Sequence, residues 1–262
     1  MTIVEELRSH LSDIGPVVVA FSGGVDSTFL AHVAHQALGE HALSVTAVSA
    51  SLSGHEREEA VALATTLSLH HQVVTTHELD DPRYVANGAD RCAWCKTHLM
   101  DSLIPIATKR SATVLLGVNI DDLSDHRPGQ AAAKEQGARF PLVELGISKE
   151  AIRQASRELG LPTADKPSAP CLASRLPYGT PVTLRALAEV ESAEEALRKL
   201  GFLELRVRHH HPVAVVSVPV ASMEAVLAQR EAIVEALKGA GYSYVTLDLS
   251  GLRSGALNEL LK

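Results

Sequence analysis

Residues 16–33 read PVVVAFSGGVDSTFLAHV and join a short apolar run to a run without helix breakers. The apolar part has the length and composition of a buried strand, and the second part is typical of a helix. The polar residues between them, Ser22–Ser27, would present backbone N–H groups at a helix N-terminus, where the helix dipole favours an anion. Gly23 and Gly24 let the backbone approach that anion closely, because a Cβ would intrude. We therefore predict that SGGVDS is a phosphate-binding loop, and we call it the SGGVDS loop.

The side chains of the SGGVDS loop refine this prediction. Ser22 and Ser27 can donate hydroxyl hydrogen bonds, whereas Asp26 would repel a phosphate unless the two share a cation. A Mg²⁺ ion between Asp26 and the phosphates is therefore expected. The loop is not of the GxxxxGK[ST] type, because no lysine follows its glycines. The alternative is a tight strand-to-helix turn with a serine cap and no ligand.

Composition limits the class of protein. With 262 residues, 46% hydrophobic and 21% charged, the chain can form one large α/β domain, or a medium domain plus a small one. Its net charge of −7 counts against a broad nucleic-acid surface. No apolar stretch approaches the roughly 20 residues that span a bilayer, and the N-terminus predicts an amphipathic helix rather than a signal peptide. We expect a cytoplasmic protein without nucleic-acid or membrane partners.

Short apolar strands alternate with helices in the first part of the chain. This order predicts an α/β fold with a parallel sheet covered by helices on both faces. The predicted strands are Val17–Ala20, Ser44–Ser49, His71–Thr75 and Thr113–Val118. The predicted helices are Thr28–Leu38, Glu56–Leu67, Lys96–Lys109 and one that begins after Ser148 and ends at Gly160.

The second part of the chain has a different order of elements. Residues 1–165 form the predicted nucleotide domain, and the proline-rich residues 166–181 are a loop long enough to favour function. Residues 182–262 follow an α-β-β-α-β order, which predicts a small α+β domain with a mixed sheet. Its elements are Leu184–Leu200, Leu203–Arg208, Val213–Val218, Ser222–Lys238 and Tyr244–Leu249. A surface turn is expected at His209–His211.

Three cysteines form the second candidate site. Cys92 and Cys95 form C-A-W-C at a predicted helix start, and Cys171 lies in the proline-rich loop. The helix dipole and nearby basic residues would favour thiolates at the pair. Three thiolates can bind three irons of a [4Fe-4S] cluster and leave the fourth iron for an exogenous sulfide. The alternatives are a Cys₃His zinc site completed by His98, and three ordinary reduced cysteines.

The sequence SGGVDS resembles the pyrophosphate loop of the ATP pyrophosphatase superfamily, whose fold is of the adenine-nucleotide α-hydrolase type. The resemblance implies cleavage of ATP between the α and β phosphates and adenylation of a substrate oxygen. It also implies that adenosine lies across the carboxyl ends of the strands, near Ala47–Ser49 and Gly117, as ligands do in open parallel sheets. Among the nucleophiles that such enzymes use, sulfur fits this chain, because its cysteines could hold a sulfur carrier.

Four further segments narrow the resemblance to one branch. They are GVNIDDLSDHRPG (117–129), PCLASRLPYG (170–179), RVR (206–208) and TLDLSGLRSG (246–255). With SGGVDS, they resemble the LarE-type sulfurtransferases over essentially the whole chain. The resemblance implies thiolation of both carboxylates of pyridinium-3,5-biscarboxylic acid mononucleotide, for the nickel-pincer nucleotide cofactor. It also implies a homo-oligomer, with a hexamer as one form, and an outside source of sulfide.

The cysteine pattern separates two versions of this family. One version sacrifices a single cysteine, at the position of Cys171, and is left with dehydroalanine. This chain also has Cys92 and Cys95, so it resembles the three-cysteine version, which is taken to bind a [4Fe-4S] cluster. The predicted catalytic residues are Cys92, Cys95, Cys171 and Asp26.

The remaining predicted site residues fall into two groups. The ATP and Mg²⁺ group is Ser22, Gly23, Gly24, Val25, Asp26, Ser27, Ser49, Gly117, Asp122, Asp125 and Arg127. The substrate group is Trp94, Ser174, Arg175, Arg206, Arg208 and Arg253. Arg206 and Arg208 are two apart on a predicted strand and could clamp the substrate phosphate, although a solvated strand face is the alternative. Trp94 could stack on the pyridinium ring or shield the cluster.

Two rival functions share many of these features. A cluster-dependent tRNA 2-thiolation enzyme would also have the SGGVDS loop, a CxxC pair and a distant third cysteine. The acidic net charge and the absence of further zinc-ribbon cysteines disfavour it. A zinc-stabilised nucleotide-binding module without chemistry is the other rival, and pyrophosphate release would distinguish the enzyme from it.

Overall fold

The computed structural model describes residues 2–124, 128–167 and 169–253. The predicted site residues Asp125 and Arg127 lie outside the described residues. The chain divides into two compact units, one of residues 1–78 with 92–169 and one of residues 79–91 with 170–262. We call them unit 1 and unit 2. No helix in the described ranges combines the length and the apolarity that crossing a membrane requires.

Unit 1 has a four-stranded parallel sheet in the order β3-β2-β1-β4. Its strands are β1 (Val17–Ala20), β2 (Ala42–Val48), β3 (His71–Thr75) and β4 (Thr113–Leu116). Its helices are α1 (Ile3–Ile14), α2 (Val25–Leu38), α3 (Gly54–Thr66), α5 (Arg91–Lys109), α6 (Pro128–Glu135), α7 (Pro141–Glu144) and α8 (Lys149–Glu158). Helix α5 begins at Arg91, the last residue of the first segment of unit 2.

Helices cover both faces of this sheet, and β1 is therefore buried on both sides. Val17 and Val19 belong to a hydrophobic cluster that includes α1, α2 and α8. Val18 points the other way and packs in a second cluster with Met100 and Leu103 of α5. Successive side chains of a strand alternate between faces, so the all-apolar run of β1 fits a doubly covered parallel strand. The predicted α/β fold is confirmed.

Unit 2 has a three-stranded mixed sheet in the order β5-β6-β7. Strands β5 (Arg206–His210) and β6 (Val213–Ser217) are antiparallel, and β6 is parallel to β7 (Tyr244–Leu247). The helices of unit 2 are α4 (Pro82–Val85), α9 (Leu184–Lys199), α10 (Met223–Ala228) and α11 (Arg230–Gly239). One face of the sheet packs in a cluster with α9 and α11. The predicted α+β unit with a mixed sheet is confirmed.

Several details of unit 2 and of the neighbouring α5 differ from the sequence expectations, among them the bounds of β5, which was expected at Leu203–Arg208. The α5 helix begins at Arg91 rather than Lys96, so both cysteines of the pair are helical. The expected helix over 222–238 is two helices that meet at Gln229. The expected surface turn at His209–His211 is wrong for His209, which is buried and hydrogen-bonded to Tyr242 (Nδ1 to Oη, 3.0 Å). Burial lowers the pKa of His209.

Candidate functional site

The SGGVDS loop connects β1 to α2 at the carboxyl end of the sheet. Its hydroxyl groups hold the loop together: the Ser22 and Ser27 Oγ atoms are 3.0 Å apart, and Ser27 Oγ donates to the Gly24 carbonyl over 3.1 Å. Gly24 is the N-cap of α2 and has no side chain to cap the helix. The backbone donors of the first turn of α2 therefore face the position that we assign to an anion.

Two glycines allow neighbouring backbone to approach this loop. Gly23 has φ +71°, and a Cβ there would lie 3.1 Å from Ala60 of α3. Gly117, directly after β4, is tighter, because a Cβ there would lie 2.9 Å from the Ser27 nitrogen. In the order β3-β2-β1-β4 the chain leaves β1 toward β2 on one side and reaches β4 on the other. The loop thus lies at the topological switch point, where open α/β sheets bind ligands.

Asp26 has a cationic partner that the sequence analysis did not identify. Lys149, the first residue of α8, places its Nζ 2.6 Å from Asp26 Oδ2. Asn119 Nδ2 donates to Asp26 Oδ1 over 3.4 Å. Asn119 is in the quoted GVNIDD segment, but nothing in local sequence links Lys149 to residue 26. A motif search around SGGVDS could not find it, because the partner is 123 residues away.

The segment after β4 supplies further acidic side chains near this loop. Asp122 Oδ2 accepts a hydrogen bond from the Asn119 backbone (3.3 Å), and Asp121 Oδ2 accepts one from the Lys149 backbone (2.6 Å). Ser49 follows β2 and contacts Ser51, with 3.0 Å between their Oγ atoms. Asp26, Ser49, Gly117 and Asp122 are therefore all beyond the carboxyl ends of strands of one sheet. Carboxylate oxygens are ligands that Mg²⁺ accepts, and it is usually bound through one or two of them, so the chemistry of Asp26 and Asp122 fits the expected ion.

A second partly buried ion-pair cluster in unit 1 was also missed. Lys166 Nζ lies 2.9 Å from both Glu56 and Glu59 of α3, and its side chain is 18% exposed. Burial alone would lower the pKa of Lys166, but the two carboxylates outweigh it, and the pKa is raised. The two carboxylates thus keep Lys166 positively charged. They belong to α3, the helix whose Ala60 lies next to Gly23.

The three cysteines are not in disulfides. Cys92 and Cys95 lie three apart at the start of α5 in unit 1, so their side chains share a helix face. Gly129 at the start of α6 packs against the first turns of this helix, because a Cβ there would lie 2.7 Å from both the Cys92 carbonyl oxygen and Lys96 Cγ. Trp94 and His98 are half-buried on the same helix. Their predicted roles stay predictions.

Cys171 precedes a short helical turn in unit 2, Leu172–Arg175. Arg175 holds this segment: its Nη1 donates to the carbonyls of Pro170 (2.6 Å) and Cys171 (3.3 Å) and to Ser174 Oγ (3.0 Å). The rest of its guanidinium pairs with Glu194 in a two-point bond, Nε to Oε1 (2.8 Å) and Nη2 to Oε2 (3.1 Å). Arg175 is 5% exposed, so its contact with substrate stays a prediction, while its support of the Cys171 segment is visible.

Asn87 and Arg91 hold the same segment from its other end. Asn87 is fully buried, and its Nδ2 donates to the carbonyls of Pro177 and Thr180, both at 2.8 Å. Its Oδ1 accepts from Arg91 Nη1 (2.6 Å), which also donates to the Ala173 carbonyl (2.8 Å). Arg91 is one of the basic residues near the cysteine pair, and its guanidinium is bound to this loop.

The strand arginines of unit 2 share one face of β5. Arg208 is paired with Asp248 of unit 2 (3.0 Å) and with Ser217 (3.1 Å). Arg206 donates to the Arg253 carbonyl (3.3 Å) and forms no ion pair with any described carboxylate. Burial, together with Arg175 and Arg208 nearby, lowers the pKa of Arg206. A half-buried guanidinium that forms no ion pair among the described residues is suited to an anionic ligand.

The described residues contain no ready-made metal centre. Among them, no group of three or more His, Cys, Asp or Glu is arranged to hold a metal ion. The Cys92–Cys95 spacing suits two ligands of one centre, and thiolates are the usual ligands of iron–sulfur clusters. The third candidate ligand, Cys171, belongs to unit 2. The cluster and the zinc alternative therefore both stay predictions.

Comparison with known proteins gives one family match and several full-length relatives. The NAD synthase family matches residues 2–85, which include the SGGVDS loop. The chain is 44% identical to an uncharacterized protein of Synechocystis over 98% of this chain and 97% of the relative. It is 38% identical to the pyridinium-3,5-bisthiocarboxylic acid mononucleotide synthase of Lactiplantibacillus plantarum over 97% and 93%. An uncharacterized protein of Methanocaldococcus jannaschii is 25% identical over 91% of both chains.

Proposed function

Because this chain belongs to the LarE-type family of pyridinium-3,5-bisthiocarboxylic acid mononucleotide synthases, we propose that it converts both carboxylates of the biscarboxylic acid mononucleotide to thiocarboxylates. It is an ATP-using sulfurtransferase. The observation that best supports the proposed reaction is the SGGVDS loop at the switch point, with Gly117 packed on it and Asp26 as its one charged side chain. The product would serve synthesis of the nickel-pincer nucleotide cofactor.

The proposed chemistry has two steps. A substrate carboxylate oxygen attacks the α-phosphorus of ATP, and pyrophosphate leaves with the electron pair of the broken P–O bond. Sulfide then attacks the acyl carbon and AMP leaves, which gives a thiocarboxylate. Activation is needed because oxide is a poor leaving group and AMP is a good one. The protein would contribute mainly by positioning the reactants and by stabilising charge on the leaving phosphates.

The residues that would perform the first step are those beyond the carboxyl ends of β1 and β4. Backbone donors of the SGGVDS loop would bind the phosphates, and Asp26 with Asp122 would hold Mg²⁺. Ser49 and Gly117 would border the adenosine. These assignments rest on position and donor chemistry, and each is testable by substitution.

We also propose that Cys92, Cys95 and Cys171 bind a [4Fe-4S] cluster. When bound, such a cluster would supply sulfide at an iron that the protein leaves uncoordinated. The i, i+3 spacing of the pair and the arginine-held Cys171 segment support the proposal. Arg206 is the best candidate for the substrate phosphate, because it has no described carboxylate partner, whereas Arg208 is already paired with Asp248. The cytoplasmic location and the homo-oligomer, with a hexamer as one form, stay predictions.

The experiment is anaerobic purification with iron, sulfide and zinc analysis, followed by a thiolation assay with ATP and the mononucleotide. We expect a brown protein that releases pyrophosphate and turns over repeatedly when sulfide is supplied. Cys92→Ala and Cys95→Ala should each lose the iron and the repeated turnover, and Lys109→Ala, an exposed substitution on the same helix, should lose neither.

Two outcomes would contradict parts of this proposal. A single turnover accompanied by loss of sulfur mass at Cys171, and independent of Cys92, would contradict the cluster and favour a sacrificial cysteine. A colourless protein with one zinc and no pyrophosphate release would contradict the enzyme and favour the nucleotide-binding module.

A further inference from the structure

Lys149 reaches the SGGVDS loop from a distant part of unit 1. Its Nζ lies 2.6 Å from Asp26 Oδ2, and the two side chains are 29% and 19% exposed. The pair is therefore partly open to solvent, and a ligand can reach it. The two proposed steps give Lys149 no role.

The backbone of Lys149 is held firmly at this place. Its N–H donates to Asp121 Oδ2 (2.6 Å), and Ser148 caps α8 by accepting from the Ala151 backbone (3.3 Å). The Ile120 backbone donates to the Ile147 carbonyl (3.2 Å), which ties the segment before α8 to the segment after β4. The ammonium group is at the end of a flexible four-carbon stem, so it can change partners while the backbone stays fixed.

The charge pattern of the SGGVDS loop indicates why such a cation is needed. The loop offers neutral donors, namely backbone N–H groups and the hydroxyls of Ser22 and Ser27, and its one charged side chain is Asp26. A triphosphate placed there would meet a carboxylate and no cation from the loop itself. In loops of the GxxxxGK[ST] type, a lysine of the loop reaches the phosphates.

We propose that Lys149 is the phosphate-binding cation of this site and that Asp26 holds it until the nucleotide arrives. The phosphates and Asp26 then compete for one ammonium group. When the phosphates take it, Asp26 is released to bind a metal ion. Lys149 would stay with the pyrophosphate as the P–O bond breaks and would stabilise the charge that develops there. The inference rests on the proposed ATP site but not on the sulfur carrier.

The test measures binding of α,β-methylene-ATP to the full chain without divalent metal, by calorimetry in EDTA. Four proteins form a cycle: wild type, Lys149→Met, Asp26→Asn and the double variant. We expect Lys149→Met to bind about tenfold or more weakly, since it loses a charged hydrogen bond. Asp26→Asn should bind more tightly than wild type, and this gain should be clearly smaller in the Lys149→Met background, because the two residues are coupled.

The controls separate this role from a structural one. Lys149→Arg should restore most of the affinity, and Lys109→Met, which removes one exposed positive charge elsewhere, should bind like wild type. Melting curves of Lys149→Met and Lys149→Gln establish that each is folded before binding is compared. Equal affinity of wild type, Lys149→Met and Lys149→Gln would overturn this inference and leave the proposed ATP site standing. An equal gain from Asp26→Asn in the wild-type and Lys149→Met backgrounds would do the same. A wild type that fails to bind the analogue, with or without Mg²⁺, would overturn the proposed ATP site with it.

Discussion

Gly117 shows how one missing side chain shapes the proposed nucleotide site. It directly follows β4, and the backbone of Asp26 and Ser27 occupies the space that a Cβ would need, at 3.0 and 2.9 Å. Those neighbours are backbone atoms at a helix start, which cannot rotate away as a side-chain end could. The close approach brings the segment after β4, with Asn119 and Asp122, to the SGGVDS loop.

We predict that Gly117→Ala displaces the SGGVDS loop. Overpacking of this kind costs about 1–3 kcal/mol, and the strain falls on the first turn of α2. Nucleotide affinity should fall at least about tenfold, with a smaller loss of thermal stability. Calorimetric titration with an ATP analogue and a melting curve measure the two effects.

Gly239→Ala is the matched control for that substitution. A Cβ at Gly239 meets nothing within 4 Å, and the residue is at the end of α11 in unit 2. Its affinity should equal that of wild type. If Gly117→Ala also bound nucleotide normally, the loop would not be the ATP site or would not depend on this contact.

The Cys171 segment depends on a short element that belongs to unit 2 although it precedes α5 in sequence. Residues 79–91 include α4 and Asn87, whose φ is +54°. Asn is one of the few residues that tolerate this left-handed conformation, and here its amide also binds the segment that follows Cys171. Two independent requirements therefore favour asparagine at position 87: the left-handed backbone conformation and the hydrogen bonds of the side-chain amide.

Two substitutions at Asn87 should separate these effects. Asn87→Gly keeps the backbone conformation but leaves the carbonyls of Pro177 and Thr180 and the Arg91 guanidinium without this partner, so we expect about 2–4 kcal/mol less stability. Asn87→Ala should be about 1 kcal/mol worse again, because a Cβ penalises φ > 0. Urea unfolding measures both, and proteolysis within residues 170–181 should become faster.

Ser68 provides the control pair, because it has φ +51° on an exposed loop of unit 1. Ser68→Gly and Ser68→Ala should differ by the conformational effect alone, with little change in proteolysis of residues 170–181. If Asn87→Gly were as stable as wild type, the hydrogen bonds of Asn87 would not hold the segment.

Elements with local signals were predicted well from sequence. β1 and β3 have the predicted bounds. The apolar run of β1 is buried as expected, but the expectation of a buried strand is wrong for β3, which lies at the edge of the sheet and is largely exposed. The α8 helix was found from its Ser148 cap. The start of α5 was predicted five residues late, since Arg-Cys-Ala-Trp-Cys has no apolar periodicity and its helical state depends on packing, for instance against Gly129.

Interactions between distant residues could not be predicted in the same way. Lys149 is 123 residues from its partner Asp26, Glu194 is 19 residues from Arg175, and Thr180 is 93 residues from Asn87, and no local pattern specifies these pairs. His209 was expected on a surface turn because three histidines precede a proline. Strand alternation instead points it into the core of unit 2, where Tyr242 satisfies its ring nitrogen.

The molecule as a whole is acidic, with 24 Lys and Arg against 31 Asp and Glu. Several of its cations are also already paired with carboxylates. Examples are Arg83 with Asp81, Arg139 with Glu144, Arg157 with Asp165, Lys166 with Glu56 and Glu59, and Arg208 with Asp248. Binding to a phosphate backbone needs many unpaired cations on one surface, because each neutralised phosphate releases counterions.

We therefore predict that this enzyme does not bind or thiolate tRNA. In a gel-shift titration at about 0.15 M salt, tRNA should show no retention, even at protein concentrations well above the dissociation constant of the protein for ATP. A basic tRNA-binding protein run alongside establishes that the assay detects binding. Retention that disappears steeply as salt rises would indicate many phosphate contacts. A plot of the logarithm of the association constant against the logarithm of the salt concentration would then have a slope of roughly −6 or steeper. Combined with sulfur incorporation into tRNA, that result would replace the mononucleotide as the proposed substrate, while the ATP site and the cysteine chemistry would keep their assigned roles.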